Sequence, residues 1–400
     1  MTANLTMYQL AKNKKLLFIL VAIVIGTVGL ILLAISRAAV ATVSFEAESG
    51  TISSSALRAT SADASGGTYL VFKQASTPSP TGGRIVNVKT ATELTAALAA
   101  AKAGDTIQMA DGTYTGSFNS TASGTSAAPI TLTGSRNAIV KGSSISSGYT
   151  LSIGTKNSSS SVSYWTLRGF TVMNGQKGLM FDNVQRSTID SLYIHDTGQE
   201  ALHLRNFSSN NTVRGNTIKN AGMDEQRYGE GIYVGTAESN WDTFSQGKPD
   251  ASNNNQILNN IISYTGAENM DIKEGTHGGV IQGNSFDGHG MCYDTSADCN
   301  FGDSMMDMKG EGWSITSNTF AYMKAVWSSG AQENDAVQVH VISTSPDQLS
   351  GSNNTFSKNT VNDVDGYGFN VQSKATGVKV MCDNKVTAAD KGFANVTCTP

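Results

Sequence analysis

Gly231-Ile232-Tyr233-Val234-Gly235, Asn269-Met270-Asp271-Ile272-Lys273, Met305-Met306-Asp307-Met308-Lys309 and Ala336-Val337-Gln338-Val339-His340 share one grammar. Apolar and polar residues alternate in each, the period of a strand with one buried face. Ile232, Val234, Met270, Ile272, Met306, Met308, Val337 and Val339 form the inward set. Tyr233, Asp271, Lys273, Asp307, Lys309, Gln338 and His340 form the outward set. Leu179-Met180-Phe181-Asp182 and Leu202-His203-Leu204-Arg205 fit the same frame upstream, as does Phe369-Asn370-Val371-Gln372 downstream.

A second signature follows a turn later: Gly215-Asn216-Thr217-Ile218, Asn259-Asn260-Ile261-Ile262, Gly283-Asn284-Ser285-Phe286, Ser317-Asn318-Thr319-Phe320, Lys358-Asn359-Thr360-Val361 and Asp383-Asn384-Lys385-Val386. The shortest steps between these asparagines are roughly 24 or 25 residues, a solenoid period. Longer steps carry insertions, expected as loops on one face. The spacing predicts an all-β parallel β-helix whose coils stack at about the 4.8 Å strand spacing. The repeated Asn is expected to form an internal amide ladder, and the outward set one polar stripe.

Outside the repeat, composition narrows the class. The 400 residues carry a net charge of −4 and only 15% charged residues, with 41 Gly and 6 Pro. No basic run occurs beyond the N-terminus, which argues against nucleic-acid binding. Lys12, Lys14 and Lys15 precede an apolar run from Leu16 to Ile35, about the 20 residues that span a bilayer. The positive-inside rule then places residues 1–15 in the cytoplasm and the rest at the cell surface. Ala39-Val40-Ala41 offers the alternative of a cleaved signal and a secreted protein. The four cysteines suit export, with Cys292–Cys299 and Cys382–Cys398 the expected pairs. Residues 74–84 form a linker, and the β-helix is expected over 85–400. Thr90-Ala91-Thr92-Glu93 is a capping box that opens a helix to about Lys102, expected to cap the open end of the helical core. A monomer is expected.

Two resemblances add to this. Residues 44–73, with Ser44-Phe45-Glu46-Ala47-Glu48 and Gly67-Thr68-Tyr69-Leu70-Val71-Phe72, resemble a fragment of carbohydrate-binding β-sandwich modules; a short stalk is the alternative. Gly104-Asp105-Thr106-Ile107, Asp111-Gly112-Thr113-Tyr114, Gly229-Glu230-Gly231-Ile232 and Gly266-Ala267-Glu268-Asn269-Met270-Asp271-Ile272-Lys273 resemble the β-helix polysaccharide lyases that include alginate lyases and chondroitinase B. That resemblance implies a right-handed, pectin lyase-like helix and an anionic polysaccharide substrate. It implies a base at Lys273, five positions after a calcium-binding Glu at Glu268. The family's second calcium-binding Glu falls at Gly266, so Glu230, or Glu200, on a neighbouring coil would have to compensate. The family's acid is an Arg on the following coil, and Lys309 stands there.

Elementary chemistry sets the demands. Eliminating across a uronate requires neutralising the carboxylate and removing the neighbouring proton. Lys, with a reference pKa of about 10.4, needs nearby positive charge to act as a base. Asp271 and Glu274 oppose that shift. His203, Arg205, Tyr233, Asp271, Asp307, Gln338 and His340 are expected to line substrate subsites, with Trp241 and Phe244 in the insertion 237–252 as one wall. Two alternatives remain: a non-catalytic surface protein that binds polysaccharide, and a glycoside hydrolase using Asp271 and Asp307.

Overall fold

The computed structural model describes the strands 56–60 and 68–72, and residues 83–292, 301–324, 334–342 and 350–400. The chain divides into two units, Met1–Thr77 and Pro78–Pro400. In the first, Ala56–Thr60 pairs antiparallel with Thr68–Phe72. The expected membrane segment 16–35 and the expected disulfide partner Cys299 lie outside the described residues. Among the described residues, no helix is long and apolar enough to cross a membrane.

The second unit begins with Ile85–Val88 and the helix Ala91–Ala99. Thr90 accepts from the Glu93 N–H while Glu93 accepts from the Thr90 N–H, the capping box read from the sequence. The helix stops short of Lys102, whose N–H instead donates to Asp105 Oδ2 at 2.9 Å. Leu94 and Leu98 are buried, and Ser120 of the first coil donates to the Leu98 carbonyl at 2.8 Å. This helix closes one end of the core.

Among the described residues, three long parallel sheets of eleven, ten and ten strands follow. Each full coil gives one strand to each sheet; Gln256–Leu258, Ile261–Thr265 and Met270–Ile272 are one such set. In the third sheet Ile232 lies beside Met270, and Met270 beside Met306. The core is therefore built of rows of like residues, such as Phe286 stacked on Phe320 with ring centroids 4.8 Å apart.

The asparagine ladder stands where the sequence placed it. Asn216, Asn260, Asn284, Asn318 and Asn359 each donate from Nδ2 to Oδ1 of the next, at 2.9–3.0 Å, ending on Asn384. The residue before each ladder position from Asn216 to Asn359 turns left-handed, which explains Gly215 (φ 63°) and Gly283 (φ 68°). A second row lies five residues upstream: the N–H groups of Ser187, Asn211 and Trp313 donate to the side chains of Asn211, Asn255 and Asn354. It breaks at Gly279, which leaves room for the Trp313 ring, so no period shows.

Candidate active site

The third sheet carries three outward columns. Lys177, Glu200, Glu230 and Glu268 each stand two residues before the register partners Leu179, Leu202, Ile232 and Met270. The second column is Met180, His203, Tyr233, Asp271, Asp307 and Gln338. The third holds Asp182 and Arg205, then, beyond Gly235, Lys273, Lys309 and His340. A groove of about 560 Å³ lies over these columns from Lys177 to Lys309.

Most charges in the groove are already engaged. Lys177 pairs with Glu200. Arg205 grips Asp182 through Nε at 2.6 Å and through its terminal nitrogen at 3.3 Å, and is 1% exposed. Lys273 Nζ lies 2.5 Å from Asp271, while Lys309 bridges Asp271, at 3.2 Å, and Asp307. His340 Nδ1 meets Asp307 at 2.9 Å, and His203 Nε2 meets the Gly235 carbonyl at 2.8 Å.

These partners fix protonation. Burial alone would push the Lys273 and Lys309 ammonium groups down, but Asp271 and Asp307 hold both above the ordinary lysine range. Burial, then the neighbouring Asp271 and Glu230, raise the Tyr233 phenol well above its usual value. Burial would likewise raise Glu200, yet Lys177 and His203 bring it down to about 2. A depressed carboxyl stabilises the fold above its unfolded pKa, 4.5 here, and loses that contribution as pH falls through about 2. Glu200→Gln should therefore melt below the wild type at pH 6, with the gap closing towards pH 2. A gap independent of pH would show that the Glu200 charge contributes nothing.

Glu230, Glu268 and Asp271 bring carboxylate oxygens within 4.8 Å of one another, all buried. Burial, then Glu200 and Asp271, push Glu230 up to about 8, and burial and Asp271 push Glu268 well above the carboxylate range. Glu230 Oε2 has no hydrogen-bond partner. A crowded, buried set of hard oxygens with an orphaned atom fits a divalent cation such as Ca²⁺, which takes 6–8 oxygen ligands. Gly266 cannot be the second glutamate site of the resemblance: a Cβ there would lie 2.7 Å from the Gln226 backbone. Asp271 is the third carboxylate instead.

Other expected residues fall differently. Arg205, expected on substrate, is turned onto Asp182 and packs 4.2 Å from the Phe244 ring centroid. Gln338 donates to Asp335 at 3.0 Å, and neither it nor His340 lines the groove. Trp241 is buried with its Nε1 on the Thr236 carbonyl, so it anchors the insertion and presents no face to a sugar. Two buried acids hold that insertion: Glu274 accepts from the Glu238 N–H, and Asp250 from the Asn206 and Phe207 N–H groups and from Thr236. Asp271 and Asp307 are bridged by Lys309, which with His340 holds Asp307 well below the usual carboxylate range, so Asp307 is not poised as the protonated acid of a hydrolase pair. Met306 and Met308 are core, and Cys382 is bonded to Cys398. Lys177 was missed although it stands in the column of Glu230 and Glu268. Arg227 and Tyr228 were missed because they sit on an irregular loop.

Three stacked parallel sheets with a charged groove along one of them define a parallel β-helix. Residues 100–246 match the family described as the right-handed beta helix region. The chain is similar to a solved alginate lyase from Paenibacillus sp. str. FPU-7, with 33% identity and a TM-score of 0.67 over 78% of this chain and 99% of that one. A pectate lyase, at 17% identity and a TM-score of 0.52 over 79% of each chain, shares the fold. So does a lacto-N-biosidase from Eubacterium ramulus, at 11% identity and a TM-score of 0.51 over 79% of this chain and 68% of that one. None of the curated proteins matches the chain significantly. The chain belongs to the β-helix polysaccharide lyase family that the Paenibacillus alginate lyase represents.

Proposed function

We propose that the protein cleaves a uronate-containing polysaccharide by β-elimination, with alginate, the substrate named for the 33% identical relative, as the first polymer to test. The observation that carries this is the meeting of Tyr233, Lys273 and Lys309 on successive coils of one groove, with Lys273 Nζ 5.0 Å from the Tyr233 ring centroid. Lys309 neutralises the uronate carboxylate. Lys273 Nζ, once it has given its own proton to solvent, takes the proton from the carbon beside the carboxylate, the bond to the leaving oxygen breaks and a carbon–carbon double bond forms. Tyr233, held as a phenol, returns a proton to the leaving oxygen. Calcium held by Glu230, Glu268 and Asp271 would add positive charge for the carboxylate and take up the Asp271 charge that now keeps Lys273 protonated. The basic residues before the apolar run 16–35 support export and a place at the cell surface.

The test is incubation with alginate, polygalacturonate, chondroitin, dermatan and hyaluronan, with calcium or chelator, while following the ultraviolet absorbance of unsaturated ends. A rise on one polymer supports elimination. New reducing ends without absorbance would mean hydrolysis, and binding without either would mean a binding protein. Calcium is checked without activity: at a hundredfold excess over Kd it should stabilise the wild type by about 2.7 kcal/mol. Glu268→Gln should lose most of that shift, and an equal shift in both would remove calcium from this site.

A further inference from the structure

The geometry points to Arg227 as the residue that recognises a substrate carboxylate, and so as the determinant of the groove's preference for acidic sugars. This deepens the proposal above and rests on it. Of the arginines and lysines along the groove, Lys177, Arg205, Lys273 and Lys309 are each closed onto a carboxylate of the protein. They shape the field, but each can meet an incoming anion only by sharing or releasing its partner. Arg227 lines the same groove, is exposed and, among the described residues, pairs with no carboxylate.

Its isolation is built by the loop. Three acids lie within three residues of it: Glu230 belongs to the buried carboxylate cluster with Glu268 and Asp271, and the other two are engaged by neutral donors. Asp224 accepts from Ser146 Oγ at 2.7 Å, and Glu225 accepts from Gln199 Nε2 at 3.1 Å. The turn Gln226–Tyr228 is closed by the Tyr228 N–H on the Glu225 carbonyl at 3.2 Å and the Gly229 N–H on the Gln226 carbonyl at 2.9 Å. Beneath it, Gly266 lets the Gln226 backbone approach so closely that no side chain fits between them. The position where the resemblance expects a calcium-binding glutamate thus serves as the seat of the loop that presents Arg227. A guanidinium is always charged and offers a planar fork that matches a carboxylate bidentately. Tyr228, 45% exposed in the same groove, adds an aromatic surface for the sugar ring.

The experiment measures Kd by affinity electrophoresis in gels containing the cleaved polyuronate or its carboxyl-reduced form, alongside steady-state kinetics. Arg227→Ala should weaken binding to the polyuronate about tenfold, the scale of one partly screened hydrogen-bonded charge pair. It should leave binding to the carboxyl-reduced polymer unchanged. KM should rise with kcat held, and Arg227→Lys, which keeps the charge without the fork, should fall between. Equal affinity of Arg227→Ala and the wild type for the polyuronate overturns the assignment alone, as does an equal loss on both polymers, which would indicate loop packing. A wild type that neither binds nor cleaves any polyuronate overturns the lyase proposal and this inference with it.

Discussion

Lys273→Ala is expected to lower kcat on the cleaved polymer by about a thousandfold, within the range for losing a positioned proton carrier. KM should change little, because Lys309 and the rest of the groove remain. The informative companion is Lys273→Arg. Arginine keeps the positive charge beside Asp271 but does not give up its proton in a protein. If Lys273 takes the substrate proton, Lys273→Arg should be nearly as slow as Lys273→Ala. If Lys273 only balances the Asp271 charge, Lys273→Arg should retain most of the rate. Activity of Lys273→Ala within tenfold of the wild type would remove Lys273 from the chemistry.

Asp182→Ala should produce the largest loss of stability, about 3–5 kcal/mol, because it strands a buried guanidinium without its counter-charge. Arg205 is 1% exposed and its other polar partner among the described residues is the Tyr149 hydroxyl at 3.0 Å, which cannot replace a carboxylate. The cost belongs to the orphaned charge rather than to the pair. Asp182→Leu combined with Arg205→Met should therefore unfold closer to the wild type than Asp182→Ala does. Urea unfolding followed by circular dichroism gives the comparison. Additive losses in the double variant would contradict this account.

The fold was legible because two independent periods agree. Alternation marks Met270, Ile272, Met306 and Met308 as inward, and the asparagine repeat marks the turn between the first and second sheets. Both are local rules about backbone geometry, so the chain displays them openly. The groove was legible only where it follows the same strands: Tyr233, Asp271, Lys273, Asp307 and Lys309 stand on one face by period alone. What the period cannot show is who pairs with whom. Arg205 looked available because its stripe position is outward, but Asp182, one coil away in the same column, claims it. Trp241 looked like a sugar platform because aromatic residues often are, yet an insertion of this length needs its own small core. The Arg227 turn obeys neither period, and its placement depends on a close approach to Gly266 from the next coil, which no repeat in the sequence displays.

The asparagine ladder also explains how this groove can be tailored. Neighbouring ladder residues are separated in sequence by 44, 24, 34, 41 and 25 positions, yet every amide meets the next at the same hydrogen-bond distance. Chain length between rungs is thus uncoupled from the spacing of the rungs. In the longest step the extra residues go into the two turns that flank the third sheet, which supply Arg227 and Tyr228 on one side and Ser239, Asn240 and Phe244 on the other. The ladder behaves as a fixed tool-holder: substrate-facing loops can be exchanged, lengthened or trimmed between clamped rungs without the strand columns slipping by a residue.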